Sequence, residues 1–282
     1  MSEMKLPKWV TNKKCPRKNK YLAGKKVAPN GLTGKESLPD VIDQVFLAYN
    51  GARLREGCEL LATKMLQPDV TVGLTLAGAL TPAGLGRSCV VPLIKAGFVD
   101  WIVATGANLY HDMHFAFDCS LHVGTPHVND ADLRSNGVVR IYDVLLDFTD
   151  CLMRTDHILA EILKKPEFRK KMGLAEFHNH LGRYVAKIEE ENNQKDVSIL
   201  AAAYRADVPV YTSSPGDSTI GMVIAKLSAL GYEFNIDPFL DVNETSSYVL
   251  AAKRSGGKHA VLLMGGGSPK NFMLQTEPQL QE

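Results

Sequence analysis

From Asp40 onward, apolar residues return every three or four positions, at Val41, Ile42, Val45, Phe46 and Tyr49. That period predicts an amphipathic helix, and a second follows over 54–65, ended by Pro68. Then the pattern changes. Val70-Thr71-Val72-Gly73-Leu74-Thr75-Leu76 is a short β-branched apolar run bounded by Gly78, which predicts a buried strand. A Gly/Ala/Thr/Pro loop over 77–84 leads to a helix through Leu93 and Ile94, closed by Gly97 at the usual C-cap position. The next strand, 99–104, runs into a second glycine-bearing turn, Thr105-Gly106-Ala107-Asn108. The middle third reads as helical over 142–163 and 177–190, with the charged stretch 164–171 between. The first rhythm then returns: a helix over 197–204, a strand over 208–212, the turn Ser213-Ser214-Pro215-Gly216-Asp217-Ser218 and a helix over 219–230. A helix over 238–253 and a strand over 259–264 follow, ending on Gly265-Gly266-Gly267-Ser268. Strand, glycine turn, helix, strand is the rhythm of a parallel sheet, so the expected class is α/β.

Hydrophobic residues make up 45% of the 282 and charged residues 22%, enough apolar material for a sizeable core. A net charge of +1 gives no overall bias toward polyanions, but between Lys5 and Lys26 nine Lys or Arg stand against no Asp or Glu. This reads as a basic arm over 1–30, either a solvated tail or one that touches phosphate or an acidic partner. Nucleic-acid binding through it is the weakest functional reading. Residues 31–282 are expected to form one domain. Five cysteines without a C-x-x-C spacing indicate reduced thiols in the cytoplasm. No apolar run approaches the ~18 residues of a membrane span, and the N-terminus lacks the apolar core of a secretory signal.

Four expected strands therefore end in Gly/Ser/Thr-rich turns. In a parallel sheet those ends share one edge, where loop amides and helix N-termini attract phosphate, which suggests a nucleotide or dinucleotide. Neither G-x-G-x-x-G nor a Walker A loop is present. His111 and His114 are three apart on one helix face, but no third ligand follows at a diagnostic spacing, so no metal is expected. The Ser213–Ser218 turn lacks the G-x-S-x-G elbow of a hydrolase. Asp217 can be a helix N-cap, or a carboxylate that accepts hydrogen bonds from a ribose or holds a cationic amine.

Several of these blocks occur together in a known order: 75–84; 99–112; Leu133-Arg134-x-Asn136-Gly137-x-x-Arg140-Ile141; Pro209-Val210-Tyr211 with Asp217; and Gly265-Gly266-Gly267-Ser268-Pro269-Lys270-Asn271. In order and spacing they resemble deoxyhypusine synthase, most of all its bacterial deoxyhypusine synthase-like branch, from about Val70 to the C-terminus. The resemblance implies a Rossmann-like parallel sheet flanked by helices, a homotetramer, and NAD as cofactor. It implies NAD-dependent dehydrogenation of spermidine, with transfer of the aminobutyl group through an enzyme lysine to an acceptor lysine of a protein that becomes hypusinated. Gly78, Ala79, Leu80, Thr81, Thr105, Gly106, Ala107, Asp217, Gly266 and Gly267 fall on the dinucleotide site, and Tyr110, His111 and Asn271 on the substrate site. His111 stands where typical members carry Glu, Met222 where they carry Asp, and Asn271 where they carry His. A cationic polyamine is held by carboxylates, so a related amine becomes an alternative to spermidine. The family lysine belongs to a Trp-Gly-Lys stretch several dozen residues beyond the glycine block, past Glu282, so the domain is expected to be C-terminally truncated. Alternatives are a homospermidine synthase-like polyamine enzyme, whose acceptor is a small diamine, and a catalytically inactive NAD-binding subunit of an oligomer.

Overall fold

The computed structural model describes residues 20–281 of the chain, and the basic arm lies outside them as far as residue 19. The chain divides into two compact units, Met1–Thr63 and Lys64–Glu282, where the sequence reading set a boundary at residue 30. In the first unit, Ser37 starts α1 (Leu38–Val45) with a capping box: its hydroxyl accepts the Asp40 N–H while the Asp40 carboxylate accepts the Ser37 N–H. The helix expected to run through residue 49 stops early: Phe46, directly after Val45, has ψ 65°, outside the helical range, and a second helix, α2 (Tyr49–Leu60), starts at Tyr49, whose own φ is 53°.

The second unit opens with β1 (Val70–Leu76), α3 (Val91–Lys95), β2 (Trp101–Ala104) and α4 (Gly106–Ala116). An excursion follows: β3 (Leu121–Val123), α5 (Asp130–Ser135), β4 (Val138–Ile141) and β5 (Val144–Asp147). Next come α6 (Arg154–Leu163), β6 (Lys171–Met172), α7 (Leu174–Glu191), α8 (Ile199–Ala206), β7 (Val210–Thr212) and α9 (Thr219–Ala229). The unit ends with β8 (Asn235–Ile236), α10 (Pro238–Arg254), β9 (Lys258–Met264), α11 (Gly267–Leu274) and α12 (Thr276–Gln281).

The main sheet has the order β7-β2-β1-β9 with every pair parallel. Its two central strands are buried, which explains their continuous rather than alternating apolar runs. Gly73 is required where α11 crosses the sheet: a Cβ there would lie 2.9 Å from both Met273 and the Trp101 ring. The α/β class with a parallel sheet flanked by helices is as expected.

The middle third differs. Residues 142–147 were expected to begin a helix but form a hairpin in the antiparallel sheet β3-β5-β4. Ile141 pairs with Val144 across a two-residue turn in which Tyr142 has φ 57°. Asp147 then accepts the N–H groups of Thr149 and Asp150, so helical structure starts only after it.

Two helices are capped from a distance. Gly173, the N-cap of α7, has no side chain, and Asp241 of α10 takes its place by accepting the Leu174 N–H at 2.6 Å. Asp112 of α4 accepts the Ser198 hydroxyl and the Ile199 N–H, both at 2.6 Å, at the start of α8. Among the described residues no helix is long and apolar enough to cross a membrane.

Candidate functional site

Because β7, β2, β1 and β9 are parallel neighbours, the turns that leave their C-terminal ends share one edge of the sheet. They also touch in a closed circuit. Thr81, in the turn after β1, donates its hydroxyl to the Asn108 carbonyl at 2.9 Å in the first turn of α4. Gly106 opens α4 directly against Ser218 of the turn after β7, where a Cβ would lie 2.4 Å from the Ser218 hydroxyl. Ser268, at the start of α11, donates its hydroxyl to Ser213 after β7 at 2.6 Å. Gly265, with φ 89°, crosses Ala77 so closely that a Cβ would come within 2.9 Å of the alanine methyl. The four turns form one ring.

Gly78, Ala79, Ala107, Asp217, Gly266 and Gly267 are exposed on this ring, Leu80 and Thr105 are half-buried, and Thr81 and Gly106 are buried within it. The two ends of the ring suit a phosphate-bearing ligand in different ways. A side chain at Gly78 or Gly266 would meet no protein atom within 4 Å, so the backbone lies open to close approach. Gly266 is also the N-cap of α11 and supplies no side-chain cap, which leaves the first N–H groups of that helix facing outward with its positive dipole end. Thr105 and Ser218, by contrast, cap α4 and α9 themselves by accepting the Asn108 and Gly221 N–H groups. Of the two roles left open for Asp217, the cap is taken by its neighbour. Ser218 is the cap, and Asp217 stands beside it as an exposed carboxylate.

One helical turn beyond Gly106 and Ser218, the same two helices line a cavity of about 390 Å³ with Tyr110 and His111 on one side and Thr219 and Met222 on the other. Apolar groups from the excursion, among them Val139, Ile141 and Leu146, close a third wall. Asp156 of α6 is its carboxylate and accepts the Tyr110 hydroxyl at 2.6 Å. Burial, then that carboxylate, holds the Tyr110 phenol well above its usual range. His111 Nδ1 lies 3.1 Å from His114 Nε2, and His114 Nδ1 lies 2.8 Å from the Thr155 hydroxyl. Burial lowers the proton affinity of His111, and burial together with His111 pushes His114 down to about 3, so both rings are neutral near pH 7. Asn271 lies on α11, one turn past Gly267, and does not line this cavity.

Ser213, Ser218, Ser268 and Asn108, which knit the ring, and Asp156, which serves the cavity, were not singled out from sequence. Ser218 alone carried a readable signal, a serine directly ahead of a helical period. Asp156 lies in an ordinary amphipathic helix, and only the fold turns it toward Tyr110.

The family model for deoxyhypusine synthase matches residues 40–282. The deoxyhypusine synthase-like protein of Nostoc punctiforme is 50% identical over 259 residues, which cover 92% of this chain and 66% of that protein. Probable deoxyhypusine synthase 2 of Archaeoglobus fulgidus is 35% identical over 230 residues, covering 81% and 71%. The crystal structure of a "putative deoxyhypusine synthase" from Entamoeba histolytica matches with a TM-score of 0.61 over 86% of this chain and 79% of that one, at 12% identity, a likeness of fold. The chain spans about two thirds of the length of the Nostoc relative.

Proposed function

The chain belongs to the deoxyhypusine synthase family, and on that premise we propose that it binds NAD on the ring of four turns and an amine in the adjoining cavity. The reaction is NAD-dependent transfer of an aminobutyl-type group from spermidine or a related amine to an acceptor lysine or amine, in a cytoplasmic homotetramer. One observation carries this reading: Gly106 and Ser218 touch in the ring, and one turn later their helices present His111 and Met222 to the cavity. A ligand on the ring and an amine in the cavity are thereby held side by side.

NAD, when bound, accepts the hydride that leaves the amine carbon. The chain's own residues prepare both partners. Backbone N–H groups at Gly266, Gly267 and the start of α11 would hold the pyrophosphate, and Asp217 would accept the ribose hydroxyls. Asp156 draws the ammonium end of the amine into the cavity. Hydride leaves a carbon next to a neutral nitrogen, so an ammonium must first lose a proton. His111 lines the cavity as a neutral ring and so adds no positive charge against the amine. With Met222 and aliphatic side chains on the walls, the cavity offers the remainder of the amine apolar contact.

Gly266→Val tests the reading. A Cβ there meets no protein atom within 4 Å, so the side chain has room in the fold while it occupies the ligand's space. NAD affinity, measured by calorimetry, is expected to fall roughly tenfold or more, about 1.4 kcal/mol. Absence of NAD binding by the unaltered chain, or equal affinity in the variant, refutes the proposal. The acceptor is read from product mass, which grows on a protein in one case and on a diamine in the homospermidine alternative.

A further inference from the structure

Directly behind the cavity lies a cluster that the proposed reaction leaves unused. His114 of α4, Cys119 beyond the end of that helix, and Cys151 in the turn ahead of α6 are all buried, and one ligand atom from each lies within 4.8 Å of the others. Thr155 shows which ring nitrogen faces the sulfurs: its hydroxyl is 2.8 Å from His114 Nδ1 and 3.8 Å from Cys119 Sγ. His114 Nε2 is turned the other way, to His111. From this geometry we propose that His114 Nδ1, Cys119 Sγ and Cys151 Sγ bind a zinc ion, with a water held by Thr155 in the fourth position.

The donor set decides the metal. Two thiolates and an imidazole suit zinc and exclude the hard cations magnesium and calcium. Zinc–sulfur bonds of about 2.3 Å and zinc–nitrogen bonds of about 2.0–2.1 Å put tetrahedral ligands roughly 3.5–4 Å apart, so the three groups close in as the Thr155 hydroxyl gives up its hydrogen bond with His114 Nδ1 and turns to the bound water. As each bond to sulfur forms, its thiol proton passes to solvent. The second ring nitrogen of His114 already has its partner in His111, the arrangement that fixes the orientation of a metal-bound imidazole. The sequence reading expects no metal because no third ligand follows His111 and His114 at a diagnostic spacing, and Cys119 and Cys151 stand far from each other in the chain. The excursion brings them together. Cys119 precedes β3 and Cys151 follows β5, so the ion closes the neck of the small sheet whose Val139, Ile141 and Leu146 form one wall of the cavity. Its role is to hold that wall.

The purified chain, loaded with Zn²⁺ and freed of unbound metal by gel filtration, is expected to retain stoichiometric zinc by elemental analysis. Cys119→Ser and Cys151→Ser should each reduce retained zinc roughly tenfold or more. Titration of the metal-free unaltered chain with Co²⁺ needs no variant to fold, and should produce a thiolate-to-cobalt charge-transfer band that zinc abolishes. The proposal is overturned if the unaltered chain retains no zinc and gives no such band. It is equally overturned if both serine variants bind as well as the parent, since the ion would then sit at other cysteines.

Discussion

Gly106 and Gly266 both belong to the ring, yet a side chain acts differently at each. At Gly266 it enters open space, whereas at Gly106 it meets Ser218 at 2.4 Å from the hydroxyl and 2.5 Å from Cβ. That hydroxyl is also the cap of α9. Gly106→Ala is therefore expected to cost stability, on the order of 1–3 kcal/mol by overpacking, and to weaken NAD binding together with it. Urea unfolding and calorimetry on the same samples check this; an alanine variant as stable as the parent would show that the two helix starts are not in contact. The same crowding explains why the sequence offered glycines at strand ends without revealing their separate duties. A glycine that admits a ligand and a glycine that admits a neighbouring turn look identical until the neighbour is known.

Among the elements, α7 depends on a residue far away in the chain. Asp241 of α10 accepts the Leu174 N–H, while its second oxygen is buried without a partner. Burial raises its carboxyl to about 7, against the opposing pull of the Leu174 N–H and with help from Glu244 and Asp237. A raised acid favours the folded state while it is protonated. This contribution is complete below the unfolded carboxyl's range near ~4 and disappears as the pH rises past about 7. Asp241→Asn keeps the oxygen that caps α7 but cannot ionise. Between about pH 5 and about pH 8 the parent should therefore lose roughly 2–3 kcal/mol relative to the variant. Parallel plots of melting temperature against pH would rule this out. Neither this cap nor the hairpin that replaces the expected helix at 142–147 was visible in the period of the chain. Val144-Leu145-Leu146 is a short apolar run that fits helix or strand equally, and pairing with β3 and β4 decides it.

For the whole molecule, Lys64–Glu282 contains the sheet, the contiguous apolar cluster from Leu74 to Met273, the ring, the cavity and the cysteine–histidine cluster. A protein beginning at Lys64 is accordingly expected to unfold in a single cooperative urea transition, with NAD affinity unchanged within roughly threefold. A broad, non-cooperative loss of structure would show instead that the fold needs residues before it. The chain's periods and glycines by themselves determined the parallel strands and the turns that end them, because a strand buried on both faces must be apolar throughout and a turn at a strand end must be small, while the family was legible only as a resemblance of several motif blocks in order. Tertiary structure alone decided the order of those strands, the closure of their turns into a ring, the caps Asp112 and Asp241 supply, and the meeting of His114 with Cys119 and Cys151. These depend on contacts between residues distant in the chain, which no local pattern encodes.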